Sequence, residues 1–272
     1  MNQFNRIFKY KHKSLCFSSF SSQSLNNNHY FNISLDSTLN TNSTLNSNSN
    51  SNLNEIKYSG FEFKVEKLVR KDKQRVGVLK TPHGEIQTPS FIFCATKAAM
   101  KGVTAEVMRQ ENTQIILSNT YHLLLAPGPD IIHKMGGLQK FTGWEGPMLT
   151  DSGGYQIFSM GHGSVSDEIK GKKKSLEGWN KTLLKVTEEG ATFKSYIDGS
   201  IHTLTPESSI DIQRKLGADL IVVLDECTAF HVDKKYTEDS MRRSHRWAIR
   251  SLQEFIKTQN SDNNNNNNNN NN

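Results

Sequence analysis

The sequence predicts an α/β fold in which parallel strands alternate with helices, and three observations carry that expectation. Short apolar runs recur between amphipathic segments from Phe61 onward. One of them, Leu220 to Leu224, is apolar throughout, as strands buried on both faces of a parallel sheet are. Helix start and stop residues stand between the runs. This order suits either an open doubly wound sheet or a barrel, and in both the reactive groups gather at the C-terminal ends of the strands.

The elements are expected as follows. "SFIFCA" (Ser90 to Ala95) is strand-like, and "TAEVMRQEN" after it reads as a helix with Thr104 as N-cap. Ile115 to Leu117 supplies a second strand, and Asp130 to Met135 a short helix stopped by Gly136 and Gly137. "PMLTD" is a third strand. A polar insertion containing "KGKKK" separates Gly161 from Gly190, and "ATFKSYIDGSIHTL" behind it alternates as a hairpin turning at Asp198-Gly199. The next helix has N-cap Thr205, Pro206 at its first position and Gly217 at its end. After the Leu220 to Leu224 run comes a helix from Thr237 to Thr258, with Met241, Ala248, Leu252 and Phe255 on one face.

Only part of the 272 residues is expected to fold. Gln23 to Asn54 is mostly Asn and Ser with one charged residue, Asp36, and offers too little apolar surface to offset the entropy of ordering. The chain ends in asparagines from Asn263 to Asn272. The expected division is a leader with an Asn/Ser-rich segment over 1–54, a folded part over 55–259 and a disordered tail over 260–272. The opening "MNQFNRIFKYKHKSLCFSSFSSQSL" is basic, free of acid and rich in Ser, as mitochondrial transit peptides are. Import into mitochondria is the expectation, and a low-complexity extension on a cytoplasmic protein is the alternative.

The formal charge is +6, and the leader's Arg6, Lys9, Lys11 and Lys13 account for much of it. What remains is compatible with a polyanionic partner without demanding one. Cys16, Cys94 and Cys227 are too few and too far apart for a disulfide framework or a metal knuckle. No apolar run approaches a membrane span, so no membrane partner is expected. HExxH and P-loop motifs are missing, and "GHG" at Gly161 to Gly163 is too short for a dinucleotide fingerprint. "SGG" after Asp151 fails as a hydrolase elbow, because Thr150 stands where glycine is needed.

The strand-end rule selects Asn119, then Asp151 and Ser152, then Asp225, Glu226 and Cys227. Asp151 and Asp225 are two carboxylates on neighbouring strand ends, with Gly153, Gly154 and the ring of Tyr155 beside them. Carboxylates accept paired hydrogen bonds from amide-like edges, an aromatic face stacks on a planar base, and glycines admit close backbone approach. That combination describes a pocket for an extruded nucleobase. The competing reading gives Asp151 a capping role and pairs Asp225 with an arginine.

The run "GGLQKFTGWEGPMLTDSGGYQIFSM", with "NTYHL" before it and "VTEEGATFKSYIDG", "LTPESSIDIQRKLGAD" and "LDEC" after it, closely resembles the tRNA-guanine transglycosylases, or queuine tRNA-ribosyltransferases, especially their bacterial branch. The resemblance extends from about Phe61 to about Thr258. It implies a TIM (β/α)8 barrel of which about the first four β/α units are present, and an enzyme exchanging guanine at the wobble position of tRNA for queuine or a precursor base. It assigns Asp151 as general acid/base and places Asn119, Ser152, Tyr155, Asp225 and Cys227 in substrate binding, with Tyr155 stacking on the base and Asn119 positioning Asp151. It implies tRNA and a guanine- or queuine-type base as partners, with a second copy or a partner subunit.

Departures accompany it. "FCATKAAMKG" stands where the family has Val-Gly-Thr-Gln, and Ala126 stands where arginine is common. A full barrel needs roughly 250 residues, and the family's aspartate nucleophile, tRNA-holding arginines and structural zinc site of three cysteines and one histidine have no counterpart in these residues. The expectation is a truncated transferase. The alternatives are a catalytically inactive accessory or tRNA-binding chain and a non-functional remnant.

Overall fold

The computed structural model describes residues 60–68, 74–161, 182–229 and 232–269. All lie in the second of two compact units, Tyr58–Asn272. The leader and the "KGKKK" segment fall outside them.

The described chain opens with β1 (Glu62–Leu68), β2 (Arg75–Thr81) and β3 (Gly84–Thr88), an antiparallel meander that the sequence reading did not anticipate. The parallel sheet follows: β4 (Phe93–Cys94), β5 (Ile116–Ser118) and β6 (Met148–Thr150), in that spatial order. Cys94, Leu117 and Leu149 stand in one row. A single parallel bridge from Leu149 to Leu220 adds a fourth member. Spatial order thus follows chain order without reversal. Among the described residues the sheet stays open.

Between these strands lie α1 (Ala105–Gln110), α2 (Thr120–Leu125), α3 (Pro129–Lys134) and α4 (Leu138–Thr142). Thr104 caps α1 as expected, its hydroxyl accepting the Val107 N–H at 3.3 Å. Beyond β6 come α5 (Gly154–Gly161) and a second antiparallel sheet of β7 (Leu183–Val186), β8 (Ala191–Lys194) and β9 (Ile201–Leu204). The expected hairpin is β8–β9, and β7 is an additional strand on its other side. Helix α6 (Pro206–Leu216) starts in a capping box built by Thr205 and Ser208 and ends at Gly217, whose φ of +77° is left-handed.

Three expectations change. The Leu220 to Leu224 run is not a regular strand buried on both faces: it makes one bridge, and Val222 is 40% exposed. Gln213, fully buried on α6, takes the place of a paired strand. Its Nε2 donates to Val222 O at 2.8 Å, and its Oε1 accepts the Val222 N–H at 2.9 Å and the Thr150 hydroxyl at 3.1 Å. The last helix, α7 (Lys234–Asn269), buries Ser240, Trp247 and Ser251 rather than Met241, which is exposed. Small serines let the helix approach closely and the indole fills the gap, so the buried stripe lies one residue aside from the most apolar one. Finally, α7 runs from Lys234 to Asn269, beyond both ends of the Thr237 to Thr258 helix expected from the sequence.

The core gathers Ile116, Met148 and Leu224 with Tyr121, Phe193, Trp144 and Trp247. At the N-terminal ends of the strands, Asp219 has its side chain only 1% exposed. It accepts from Met148 N at 2.9 Å and Gln139 Nε2 at 3.1 Å and meets His83 Nδ1 at 2.7 Å. Carboxylates at that end of a parallel sheet serve stability.

Candidate active site at the C-terminal rim of the parallel sheet

The ladder continues one step past the strands. Asn119 N donates to Thr96 O at 3.1 Å, and Asp151 N to Ser118 O at 3.4 Å. This places Asn119 and Asp151 side by side on the rim.

Asp151 is the centre of the site. Its Oδ2 accepts Asn119 Nδ2 at 2.5 Å and Gln156 Nε2 at 2.7 Å, and its Oδ1 accepts the backbone N–H of Thr120 at 2.8 Å. The Thr120 hydroxyl closes on the Asp151 carbonyl at 2.5 Å. Asn119 is the N-cap of α2 by position, yet its side chain makes no cap bond. Asp151 supplies that bond from the neighbouring strand, so the carboxylate has the capping role weighed for it, but toward the preceding helix. The pairing of Asn119 with Asp151 matches expectation. Gln156 and Thr120 were not foreseen, although Gln156 directly follows Tyr155.

The glycines have distinct duties. Gly153 has φ +85°, and a side chain there would stand 3.3 Å from Leu204 Cδ2. A Cβ on Gly154 would lie 2.8 Å from the Asp225 carbonyl oxygen, a distance no side chain tolerates. Gly154 therefore lets the Asp225 strand end close against the first turn of α5.

Ser152 is buried. Its hydroxyl accepts the Gly154 N–H at 3.3 Å, and its carbonyl accepts the Ser209 hydroxyl at 2.9 Å. It braces the turn from below. Tyr155 presents its ring outward, half exposed, open to a stacking partner.

Asp225 is exposed as a residue, although neighbouring protein partly desolvates its carboxyl. Burial raises its pKa above the usual carboxylate range, against a lowering by its own backbone hydrogen bond and by Cys227. Cys227 Sγ lies 3.9 Å from Asp225 Oδ2. Burial, then the negative charge of Asp225, pushes this thiol up to about 12. Between them Glu226 turns inward, its side chain 3% exposed. It pairs with Arg243 and accepts the Tyr236 hydroxyl at 2.7 Å, and its backbone N–H donates to Ser244 Oγ at 2.9 Å. All three partners come from α7, which thereby fixes the Asp225 to Cys227 segment.

Among the described residues no three His, Cys, Asp or Glu side chains gather to hold a metal ion. No helix among them is long and apolar enough to cross a membrane.

Comparison with known proteins identifies the family. The family model described as queuine tRNA-ribosyltransferase matches residues 71–268. A queuine tRNA-ribosyltransferase of Roseiflexus sp. (strain RS-1) is 45% identical over 197 residues, covering 72% of this chain and 49% of the relative. One of Chlamydia pneumoniae is 47% identical over 186 residues, covering 68% and 48%. A third, of Protochlamydia amoebophila (strain UWE25), is 42% identical over 197 residues, covering 72% and 50%. The chain spans about half the length of the curated relatives it matches. With the matched span holding the whole rim from Asn119 to Cys227, the chain belongs to the queuine tRNA-ribosyltransferase family.

Proposed function

We propose that this chain carries the base-handling part of a tRNA-guanine transglycosylase, which exchanges guanine at the tRNA wobble position for queuine or a precursor base. The observation that carries this reading is the Asp151 carboxylate, held at the rim by Asn119, Thr120 and Gln156, with the Asp225 backbone packed against Gly154 three residues on. Asp151 moves the proton on the leaving and arriving base. Asp225 accepts from the amide-like N–H edge of guanine, and Tyr155 stacks on its face. Asn119 and Gln156 orient Asp151, and Cys227 lines the Asp225 side. The sequential parallel order supports a TIM barrel as the complete architecture. The basic, acid-free leader supports a mitochondrial protein.

A second reading, a catalytically silent binding chain, is favoured by one specific fact: both Asp151 oxygens are already engaged, one of them in capping α2. Two assays test the base-handling reading. Guanine titration should show binding that Asp225→Asn weakens about tenfold or more, the cost of losing a charged hydrogen-bond partner. Exchange of labelled guanine into tRNA should be absent for these 272 residues alone, because the nucleophile implied by the resemblance has no counterpart in them. Guanine binding indifferent to both Asp151→Asn and Asp225→Asn would refute the base-handling role.

A further inference from the structure

We propose that Lys97, Tyr196 and His122 form a subsite for a backbone phosphate of RNA, flanking the nucleotide whose base lies at Asp151. This rests on the base-handling reading and extends it to the polynucleotide.

The three side chains come from separate parts of the chain and meet at one point of the rim. Lys97 follows β4, one residue after Thr96, whose carbonyl accepts the Asn119 N–H. His122 lies on α2, the helix that Asp151 caps. Tyr196 sits between β8 and β9. The Lys97 ammonium stands over the Tyr196 ring, 5.7 Å from its centroid, and the Tyr196 hydroxyl is 3.2 Å from His122 Nδ1. The His122 imidazole senses both Lys97 and Asp151. Its pKa is lowered by burial and by Lys97, against an upward pull from Asp151, which favours the neutral ring.

Two further features favour a ligand there over a plain solvated charge. Among the described residues Lys97 has no carboxylate within ion-pairing distance. Its position is also set by backbone: buried Ala98 has φ +60°, uncommon for a residue with a side chain, and its N–H donates to Ala95 O at 2.8 Å. A phosphate oxygen against Lys97 would find a second donor in Tyr196 when His122 Nδ1–H donates to the phenol oxygen, which frees the phenol proton to point outward. Tyr121 stacks near the same ring at 6.1 Å and 24°, which holds it in place.

The test uses the full chain and a labelled anticodon-arm hairpin RNA, followed by fluorescence anisotropy between about 50 and 200 mM KCl. Lys97→Ala should weaken binding and reduce the slope of log K against log salt by about one, the signature of a lost phosphate contact. Tyr196→Phe should weaken binding and leave the slope unchanged, because the hydroxyl carries no charge. Melting temperatures of both variants should match the parent, and guanine alone should bind them as it binds the parent. A Lys97→Ala slope equal to that of the parent overturns the subsite and leaves the base reading standing, as does a parent chain that binds guanine but not this RNA. Normal RNA binding with Lys97-dependent slope but no guanine binding would sink the base reading and keep the subsite. GMP competing as well as RNA would overturn the assignment to a polynucleotide backbone.

Discussion

Asn119 and Asp151 meet at the ends of adjacent parallel strands, amide Nδ2 to carboxylate Oδ2 at 2.5 Å. The contact joins two β/α units, because the other Asp151 oxygen caps α2 through Thr120. Asn119→Asp would set two carboxylates against each other, which the site can accept only with a proton between them. The expected result is a loss of about 2–3 kcal/mol at pH 7, as for a buried charge left without its donor. The deficit should shrink as pH falls through the carboxylate range, because protonating one partner restores a donor. Urea denaturation at pH 7 and pH 4 checks it; an equal deficit at both would show that charge is not the cause.

Gln213 makes a sharper structural prediction. Its amide serves both backbone groups of Val222 and the Thr150 hydroxyl. Gln213→Leu keeps the volume but leaves those groups unpaired, for a loss of about 3 kcal/mol. Gln213→Glu should fare no better, since a carboxylate cannot donate to Val222 O. Chemical denaturation of both variants gives the answer, and a change within about 0.5 kcal/mol for either would contradict this role.

These two residues also show what the sequence could and could not reveal. Thr104, Thr205, Pro206 and Gly217 were legible because caps are local: donor and acceptor lie within four residues. The strand-end rule placed Asn119 and Asp151 at the ends of neighbouring strands, and the structure has them there, in contact. Gln213 was invisible because its partners come from other segments, and without that knowledge Leu220 to Leu224 looks like an ordinary buried strand. Met241 misled because hydropathy ranks it above serine, while a close helix contact favours the smaller side chain. Thr120 was missed for want of any pattern that says which donors a carboxylate three elements away will collect, and Gln156, five residues on in the next helix, for want of one that says its amide turns back to Asp151.

The ion pair beneath the Asp225 to Cys227 segment is the next test. Glu226 is nearly fully buried and Arg243 is 20% exposed, so removing one partner strands a charge. Arg243→Met should cost about 3–5 kcal/mol, whereas Glu226→Gln/Arg243→Met together should recover part of that loss. A double-mutant cycle on thermal or urea unfolding measures the coupling. Additive losses would mean that the two side chains do not depend on each other.

Cys227 and Cys94 should differ chemically. The Cys227 thiol is pushed up to about 12 by burial and by the Asp225 charge, so it carries almost no thiolate at pH 8, while Cys94 is exposed. Iodoacetamide at pH 8 should label Cys94 and spare Cys227, as mass spectrometry of the digested chain would reveal. Asp225→Asn should speed labelling of Cys227 by removing one of the charges that oppose its ionisation. Equal labelling of Cys94 and Cys227 in the parent would refute the assigned environment.

The same Asp225 should set function against stability. Its pKa is raised in the folded chain, chiefly by burial, so the folded state binds the proton more tightly than the unfolded state does. Stability must then fall as pH rises from the ordinary carboxylate pKa through the raised one, and stay lowered above it. Asp225→Asn removes the charge and with it the cost. The variant should melt higher than the parent at pH 7, with the difference closing near pH 3, where both side chains are neutral. The guanine titration should move the other way, because an amide in place of the carboxylate gives up the charged acceptor for the N–H edge of the base. A carboxylate kept for structure would give the opposite pair of results, a lower melting temperature and unchanged guanine affinity. Calorimetric melts across pH 3–8 beside the titration therefore decide whether Asp225 is held in place for the base or for the fold.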